Sequence, residues 1–229
     1  VFPGSGNHYA GMGRDLALRF PAVLERQHRE NSRLRDQVAP EKNWSDGAEI
    51  GPVDALFGQV TIGALVADAL ALFGVRPTAA IGCSLGESVS MFALRAWHDR
   101  DEMLRRMQQS SLFTTELAGP CDSARRALGL RPDEPFEWRI GVVGRPAEVV
   151  RATIRAGDRA YVLIVNTPDE CVVGGDRSAV DALLRRLGTA MIPLPAVTVA
   201  HCELTQPIAE QYRALHTLPT TPPEGIRWY

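Results

Sequence analysis

Cysteine is scarce in this chain of 229 residues: Cys83, Cys121, Cys171 and Cys202 are the four present. None forms a Cys-x-x-Cys pair and no paired histidine spacing accompanies them, which argues against a zinc site, and no metal is expected. Scattered thiols in a chain of this length read as reduced, in a cytoplasmic setting. No run dense in Lys and Arg occurs. With 25 basic residues against 27 acidic ones the formal charge is −2, so nucleic acid is not expected as the main partner. Apolar runs such as residues 190–200 fall short of the ~18–20 needed to span a bilayer; no secretory leader and no membrane are expected. Internal repeats and low-complexity segments are absent too. What is there is an apolar fraction of 45%, ordinary for a globular protein, in a length that fits one large domain or one domain with an inserted lobe.

Along the chain, residues 1–2 read as a strand, followed by a glycine loop to Gly13 and a helix over about 15–31. The polar stretch 35–51 reads as loop. Helical periodicity runs over 53–73, with Gly74 as its stop. Residues 78–81 then read as a buried strand, bounded by Gly82, and helices are expected after Ser84 and over about 101–111. From Phe136 the texture changes. Strand 136–143, helix 146–156, strands 161–166 and 170–173, helix 177–187 and strand 191–195 give the order β-α-β-β-α-β of a split βαβ lobe. The expected fold is α/β. Residues 1–135 and 197–229 are expected to form a large α/β subdomain, and 136–196 an inserted ferredoxin-like small subdomain. The two ends, one a strand running into a loop and the other a strand beginning, predict a piece of a longer polypeptide.

Gly82-Cys83-Ser84-Leu85-Gly86-Glu87 carries the sharpest chemical signal. A G-x-S-x-G between a strand and a helix is the setting of a nucleophile elbow, which pushes the serine hydroxyl into solvent. The helix that follows aims N–H groups and its positive dipole end at the place where an oxyanion would develop. The bland reading is a serine capping a helix, and the strand and helix context favours the elbow. The loop Phe2-Pro3-Gly4-Ser5-Gly6-Asn7-His8 with Gly11-Met12-Gly13 lacks both P-loop and dinucleotide spacing. It can still bring a backbone N–H close to a bound thioester oxygen. A serine nucleophile needs a base. His28 and His216 sit in polar helical stretches, and His98 lies in a charged turn. His201 ends the strand-like run 197–200, which would deliver it into a cleft, and His8 in the glycine loop is its rival.

In one order, Phe2-Pro3-Gly4-x-Gly6, Gly82-x-Ser84-Leu85-Gly86-Glu87, Asn166-x-Pro168 with Val172-Val173-Gly174-Gly175, and Ala200-His201 resemble the malonyl-CoA:acyl-carrier-protein transacylase family. That family includes the acyltransferase domains of polyketide and fatty acid synthases. Arg14-Asp15-Leu16, the run from Glu30 to Gln37, and Arg227-Trp228-Tyr229 look most like acyltransferase domains of polyunsaturated fatty acid synthases and related iterative synthases. The resemblance implies an α/β-hydrolase-like large subdomain with a ferredoxin-like small one, and a Ser-His dyad. Ser84 would take the acyl group from coenzyme A, and His201 would act as base and then acid. Backbone N–H groups of Ser5 and Leu85 would form the oxyanion hole. It further implies an acyl carrier protein bearing phosphopantetheine as acceptor, neighbouring domains of a multidomain synthase as partners, and no bound cofactor, coenzyme A entering with the substrate. The segment whose carbonyl orients the histidine in that family would lie beyond Tyr229.

Departures from the family pattern bear on substrate. Ser5 replaces the usual glutamine, which preserves a backbone donor, and Cys83 replaces the usual histidine before the nucleophile. Malonyl-using members carry an arginine, able to grip the substrate carboxylate, at the position that ungapped counting assigns to Gln109. A neutral acyl group suits Gln109 better than malonate does. Arg105 and Arg106, one turn earlier, face the same way and offer the alternative. Cys83, Arg105, Arg106, Gln109, Asn166 and Ala200 are the expected substrate-binding residues. Two other functions stand beside acyl transfer: an acyl hydrolase that releases chains from a carrier protein, and a non-catalytic docking module that keeps the fold.

Overall fold

The computed structural model describes residues 1–45, 49–194 and 199–229. The chain divides into two compact units, Val1–Ser110 with Ala214–Tyr229, and Ser111–Arg213. Its elements begin with α1 (Arg14–Arg19), α2 (Pro21–Glu30), α3 (Leu34–Val38), α4 (Pro40–Asn43), α5 (Pro52–Leu72), β1 (Ala79–Ala80), α6 (Leu85–Ala93) and α7 (Arg100–Gln108). A π-helical turn at Leu112–Glu116 leads to α8 (Asp122–Ala127), β2 (Trp138–Val143), α9 (Ala147–Thr153), β3 (Ala160–Thr167) and β4 (Glu170–Asp176). Then follow α10 (Arg177–Leu187), β5 (Ile192–Pro193), a 3-10 turn at Glu203–Ile208, α11 (Ala209–His216) and β6 (Arg227–Trp228).

The first unit is built on α5, whose Val60, Ala64 and Leu65 are buried. Gly74 in the left-handed region at φ 77° ends it, as the sequence predicts. This helix also corrects the reading of apolar runs. It has 21 residues, and an 18-residue window within it has a mean hydropathy of 1.7, so it is long and apolar enough, by length and composition, to cross a membrane; 56% of that window is buried inside the protein. The single helix expected over 15–31 is two. Pro21 has no N–H and pushes Phe20 out of the helical region, to φ −124° and ψ 65°. The stretch 35–51 is not all loop, since most of α3 and all of α4 lie in it; residues 46–48 are outside the described residues. Its polar side chains misled the reading because Gln37 and Asn43 are buried and hydrogen-bonded, Gln37 to Asp101 at 2.6 Å and Asn43 to the Val38 carbonyl at 2.6 Å. Between α2, α5 and α7 a polar network replaces apolar packing. Buried Asp68 accepts from Arg95 at 2.7 Å and from Gln27, and Gln27 in turn accepts from buried Arg100. Desolvation, with the charge of Arg95 second, lowers the Arg100 pKa to about 10.

Strand pairing in this unit is short and parallel. β1 pairs with β6, and Phe2 forms a bridge with Gly82. The strand expected to be buried over 78–81 is buried only at Ala80 (3% exposed), with Ile81 47% exposed. Alternate residues point to opposite faces, and only one face of this short sheet is covered.

In the second unit β2, α9, β3, β4, α10 and β5 follow the expected β-α-β-β-α-β order. They form a four-stranded sheet, ordered β3-β4-β2-β5, in which every neighbouring pair is antiparallel. One face carries Val143, Cys171 and Val173 against Val150 of α9 and Val180, Leu183 and Leu184 of α10. Complete burial of a Val or Leu there is worth about 1.5–3 kcal/mol. On the other core cluster Cys121, Ala124, Val199 and Leu204 pack with Phe136, Trp138 and Tyr161. Because these flanking segments cover that aromatic patch, the compact unit reaches from Ser111 to Arg213, beyond the 136–196 set by strand and helix pattern alone. The strand-like run expected over 197–200 is not a strand where it is described. Val199 and Ala200 form a bend and turn, and residues 195–198 lie outside the described residues.

Candidate active site

Ser84 sits between a strand and a helix with φ 53° and ψ −116°, a conformation that costs a non-glycine residue about 1–3 kcal/mol. Backbone crowding fixes it there. A Cβ on Gly82 would lie 2.3 Å from the Glu87 nitrogen, and one on Gly86 would lie 2.1 Å from the Phe2 carbonyl oxygen. Both glycines of the motif are therefore required by space as well as by the turn. Hydrogen bonds complete the bend: Cys83 N–H donates to Phe2 at 3.1 Å, Gly86 N–H to Cys83 at 2.8 Å and Glu87 N–H to Ser84 at 2.9 Å. Leu85 is the first residue of α6, so its N–H has no intrahelical acceptor.

The glycine loop rests directly on this elbow. A Cβ on Gly4 would be 2.9 Å from the Cys83 carbonyl oxygen, and the Pro3 oxygen is 2.9 Å from the Cβ position of Gly86. The sequence treated the two motifs separately; the structure joins them within one unit. Gln59 of α5, 6% exposed, donates from Nε2 to the carbonyls of Pro3 at 3.0 Å and Gly4 at 2.7 Å. Sequence reasoning missed this residue, although a lone amide inside the apolar run of α5 was the available signal. Ser5 is half-buried in the turn that follows Gly4. Cys83 is exposed beside Ser84.

Of the histidines, His201 is exposed in the turn that follows Val199, in the left-handed region at φ 62°. Val199, fully buried, and Leu204 anchor that turn on its two sides, and the Val199 N–H donates to Leu117 at 2.8 Å. Its rival His8 belongs to the first unit, with Nε2 2.7 Å from Asn43 Oδ1. Since Asn43 already donates to Val38, that oxygen accepts and His8 Nε2 is the donor. His28 is exposed, as its polar helical stretch predicts, and so is His98, whereas His216, whose stretch predicts the same, is half-buried. Ser84 lies on the first unit and His201 on the second.

Gln109 follows α7 as its C-terminal cap, exposed, and accepts from Arg105 at 2.6 Å. Arg105 grips Glu102 with two bonds of 2.6 Å. Arg106 donates to Glu102 at 2.8 Å and to the Thr217 carbonyl at 2.9 Å. These bonds, led by those of Arg105, lower the Glu102 pKa to about 2. Both guanidiniums are thus committed to one carboxylate. In the second unit, Asn166 on β3 is exposed and donates to Glu170 at 2.9 Å, and Ala200 is half-buried beside His201. Gly174 leaves room for neighbouring side chains, since its Cβ would meet Leu163 at 2.7 Å and Trp138 at 3.1 Å. Burial, with the charge of Asp122 second, pushes the Cys121 thiol up to about 11, and burial also raises Cys171 and Cys202. Among the described residues no group of His, Cys, Asp and Glu is arranged to hold a metal ion.

No family model matches the chain. Curated relatives are polyketide synthases. GfsE of Streptomyces halstedii is 29% identical over 187 residues, covering 77% of this chain and 4% of the relative. The highly reducing synthase phiA of a fungal species is 27% identical over 248 residues, covering 100% of this chain and 9% of the relative. The chain therefore spans a small fraction of those relatives. Among solved structures, the acyltransferase domain of SpnD, in complex with 2-(pent-4-yn-1-yl)malonyl, aligns at TM-score 0.69 and 25% identity over 95% of this chain and 50% of its own. This chain resembles polyketide synthase acyltransferase domains. The same α/β fold occurs in the acyltransferase domain of PpsC of Mycobacterium tuberculosis, at TM-score 0.73 and 20% identity over 99% of this chain and 66% of its own. An acyl carrier protein S-malonyltransferase from Vibrio cholerae aligns at TM-score 0.71 and 20% identity, over 99% of this chain and 72% of its own.

Proposed function

We propose that this chain is an acyltransferase that moves an acyl group from an acyl-CoA thioester, through an ester on Ser84, to the phosphopantetheine thiol of an acyl carrier protein. The observation that carries the reading is the backbone of Ser84, held at φ 53° and ψ −116° between a strand and a helix by glycines that admit no side chain. In this account the first unit is the α/β-hydrolase-like subdomain and the β-α-β-β-α-β unit is the ferredoxin-like one. His201 takes the Ser84 proton as Oγ attacks the thioester carbonyl, and then returns it to the leaving coenzyme A sulfur. The Ser5 and Leu85 N–H groups hold the oxyanion between those steps. The carrier thiol reverses the sequence, giving its proton to His201 and leaving with the acyl group. Neighbouring synthase domains and a carrier protein are the partners, in the cytoplasm, with no nucleic acid or membrane and no bound metal.

A neutral acyl chain suits the site better than malonate. Gln109 has no charge to offer a carboxylate, and Glu102 occupies both Arg105 and Arg106.

Intact mass after incubation with malonyl-, acetyl- and longer acyl-CoA tests this reading. A covalent acyl adduct is expected, formed faster from neutral donors, passed to carrier protein rather than to water, and slowed about 10²–10⁴-fold in His201→Ala. No adduct with any donor overturns the proposal. Release of free acid faster than transfer replaces it with the hydrolase, and turnover of the surrounding synthase left unchanged by Ser84→Ala replaces it with the docking module.

A further inference from the structure

We infer that Gln59 is a positioning residue for acyl transfer: its side-chain amide holds the Gly4–Ser5 peptide so that the Ser5 N–H is turned toward the developing oxyanion. The inference rests on the reading of Ser84 as nucleophile and Ser5 as oxyanion donor, and it concerns a residue of α5 that touches neither substrate nor Ser84.

The argument begins with a trans peptide, in which the carbonyl of one residue and the N–H of the next point in opposite directions. The Gly4 carbonyl accepts from Gln59 Nε2 of α5 at 2.7 Å and from Asn7 Nδ2 of the loop itself at 2.9 Å, so the Ser5 N–H is directed away from α5. The same nitrogen reaches the Pro3 carbonyl at 3.0 Å, which pins two consecutive peptides of the loop. Only the donor end of an amide satisfies two carbonyls, and this defines which way the side chain lies. Gln59 is 6% exposed, so removing its donor would leave the Pro3 carbonyl with a hydrophobic neighbour, at about 1–3 kcal/mol, and the Gly4 carbonyl with Asn7 Nδ2 as its remaining side-chain donor. The loop has little other freedom, because the Phe2 and Pro3 carbonyls press on Gly86 and Gly4 presses on Cys83. A small rotation of the Gly4–Ser5 peptide is the motion left open. An oxyanion donor acts through its aim, since charge stabilisation depends on a donor already placed at about 2.7–3.1 Å from the oxygen.

Two substitutions test this in the whole protein. Gln59→Met keeps the volume and removes the donor, and Gln59→Glu places a carboxylate against the two carbonyls. The readout is the single-turnover rate of acyl-Ser84 formation at saturating acetyl-CoA, together with the concentration dependence and a thermal melt. Gln59→Met is expected to lower the saturated rate about 10–100-fold while KM stays within about twofold, a fraction of the 10²–10³ that a deleted oxyanion donor costs. For Gln59→Glu, the rate relative to the parent is expected to rise as pH falls from about 8 to about 5.5, because a buried carboxyl regains a proton in that range and can then donate. A structural role alone does not produce that recovery, and the Glu variant decides the matter if the Met variant does not fold. A Met variant that acylates at the parent rate, a loss confined to KM, or a Glu-to-parent ratio that is flat with pH each overturns the inference. In the parent protein a missing Ser84 adduct overturns the underlying reading as well, whereas a normal parent adduct with an unaffected Met variant removes Gln59 alone.

Discussion

Ser84 and His201 are both held at positive φ, 53° and 62°, but by different means. At Ser84 the support is backbone against backbone: carbonyls of Phe2 and Pro3 fill the space where Gly86 would carry a side chain, and atoms of Gly86 and Glu87 fill that of Gly82. At His201 the support is side chains, with Val199 and Leu204 sunk into a cluster of Cys121, Ala124, Phe136, Trp138 and Tyr161 on either side of the turn. A bend held by backbone has no softer arrangement to relax into. A turn held by apolar anchors tolerates exchange of the anchors as long as volume is kept. The first kind of support therefore fixes residue identity, and the second fixes only size and polarity.

The largest expected effect falls on the backbone-held side. Gly86→Val forces the Phe2 and Pro3 carbonyls away from the elbow, and acyl-enzyme formation measured by intact mass is expected to fall at least about a hundredfold, the scale of an ångström-sized misplacement. Acylation near the parent rate would break the comparison. The side-chain-held turn comes next. Leu204→Ala is expected to lower the unfolding free energy by about 2–5 kcal/mol in denaturant melts, whereas Leu204→Met costs less than about 1.5 kcal/mol and keeps acylation. Equal losses from Ala and Met would show that this turn, too, depends on residue identity. The smallest effect concerns Glu102, whose pKa is lowered to about 2 by Arg105 and Arg106. A lowered carboxyl contributes stability above its ordinary pKa of about 4.3 and loses it as pH falls toward the folded value. The difference in melting temperature between parent and Glu102→Gln is therefore expected to be constant above about pH 5 and to close toward about pH 2. A difference that is independent of pH across that range would contradict the pairing.

The same contrast explains what could be read in the chain beforehand. Gly82 and Gly86 around Ser84 were legible because a backbone constraint leaves only glycine as a solution, and the order β-α-β-β-α-β was legible because α10 stops at Gly188 and β3 and β4 flank the turn at Pro168-Asp169. The first unit was harder. Gln27, Asn31, Gln37, Asn43, Gln59 and Asp68 are all buried there, and buried amides and carboxylates look in sequence like surface or loop. That concealed α3, α4 and the clamp of Gln59 on the glycine loop. Helix α5 was read correctly as a helix, while its overall apolar length went unremarked because Gly, Thr, Gln and Asp residues break the run. The limits of the second unit were missed for another reason: 121–128 and 199–204 join it through packing on Trp138 and Tyr161, which no local pattern encodes.

The most direct test of the account is the location of the acyl group after reaction with an acyl-CoA, read by tandem mass spectrometry of the peptide that spans Cys83 and Ser84. The account predicts an oxygen ester on Ser84 that survives neutral hydroxylamine. An acyl group on exposed Cys83, as a thioester that hydroxylamine removes, or an unmodified peptide would contradict it.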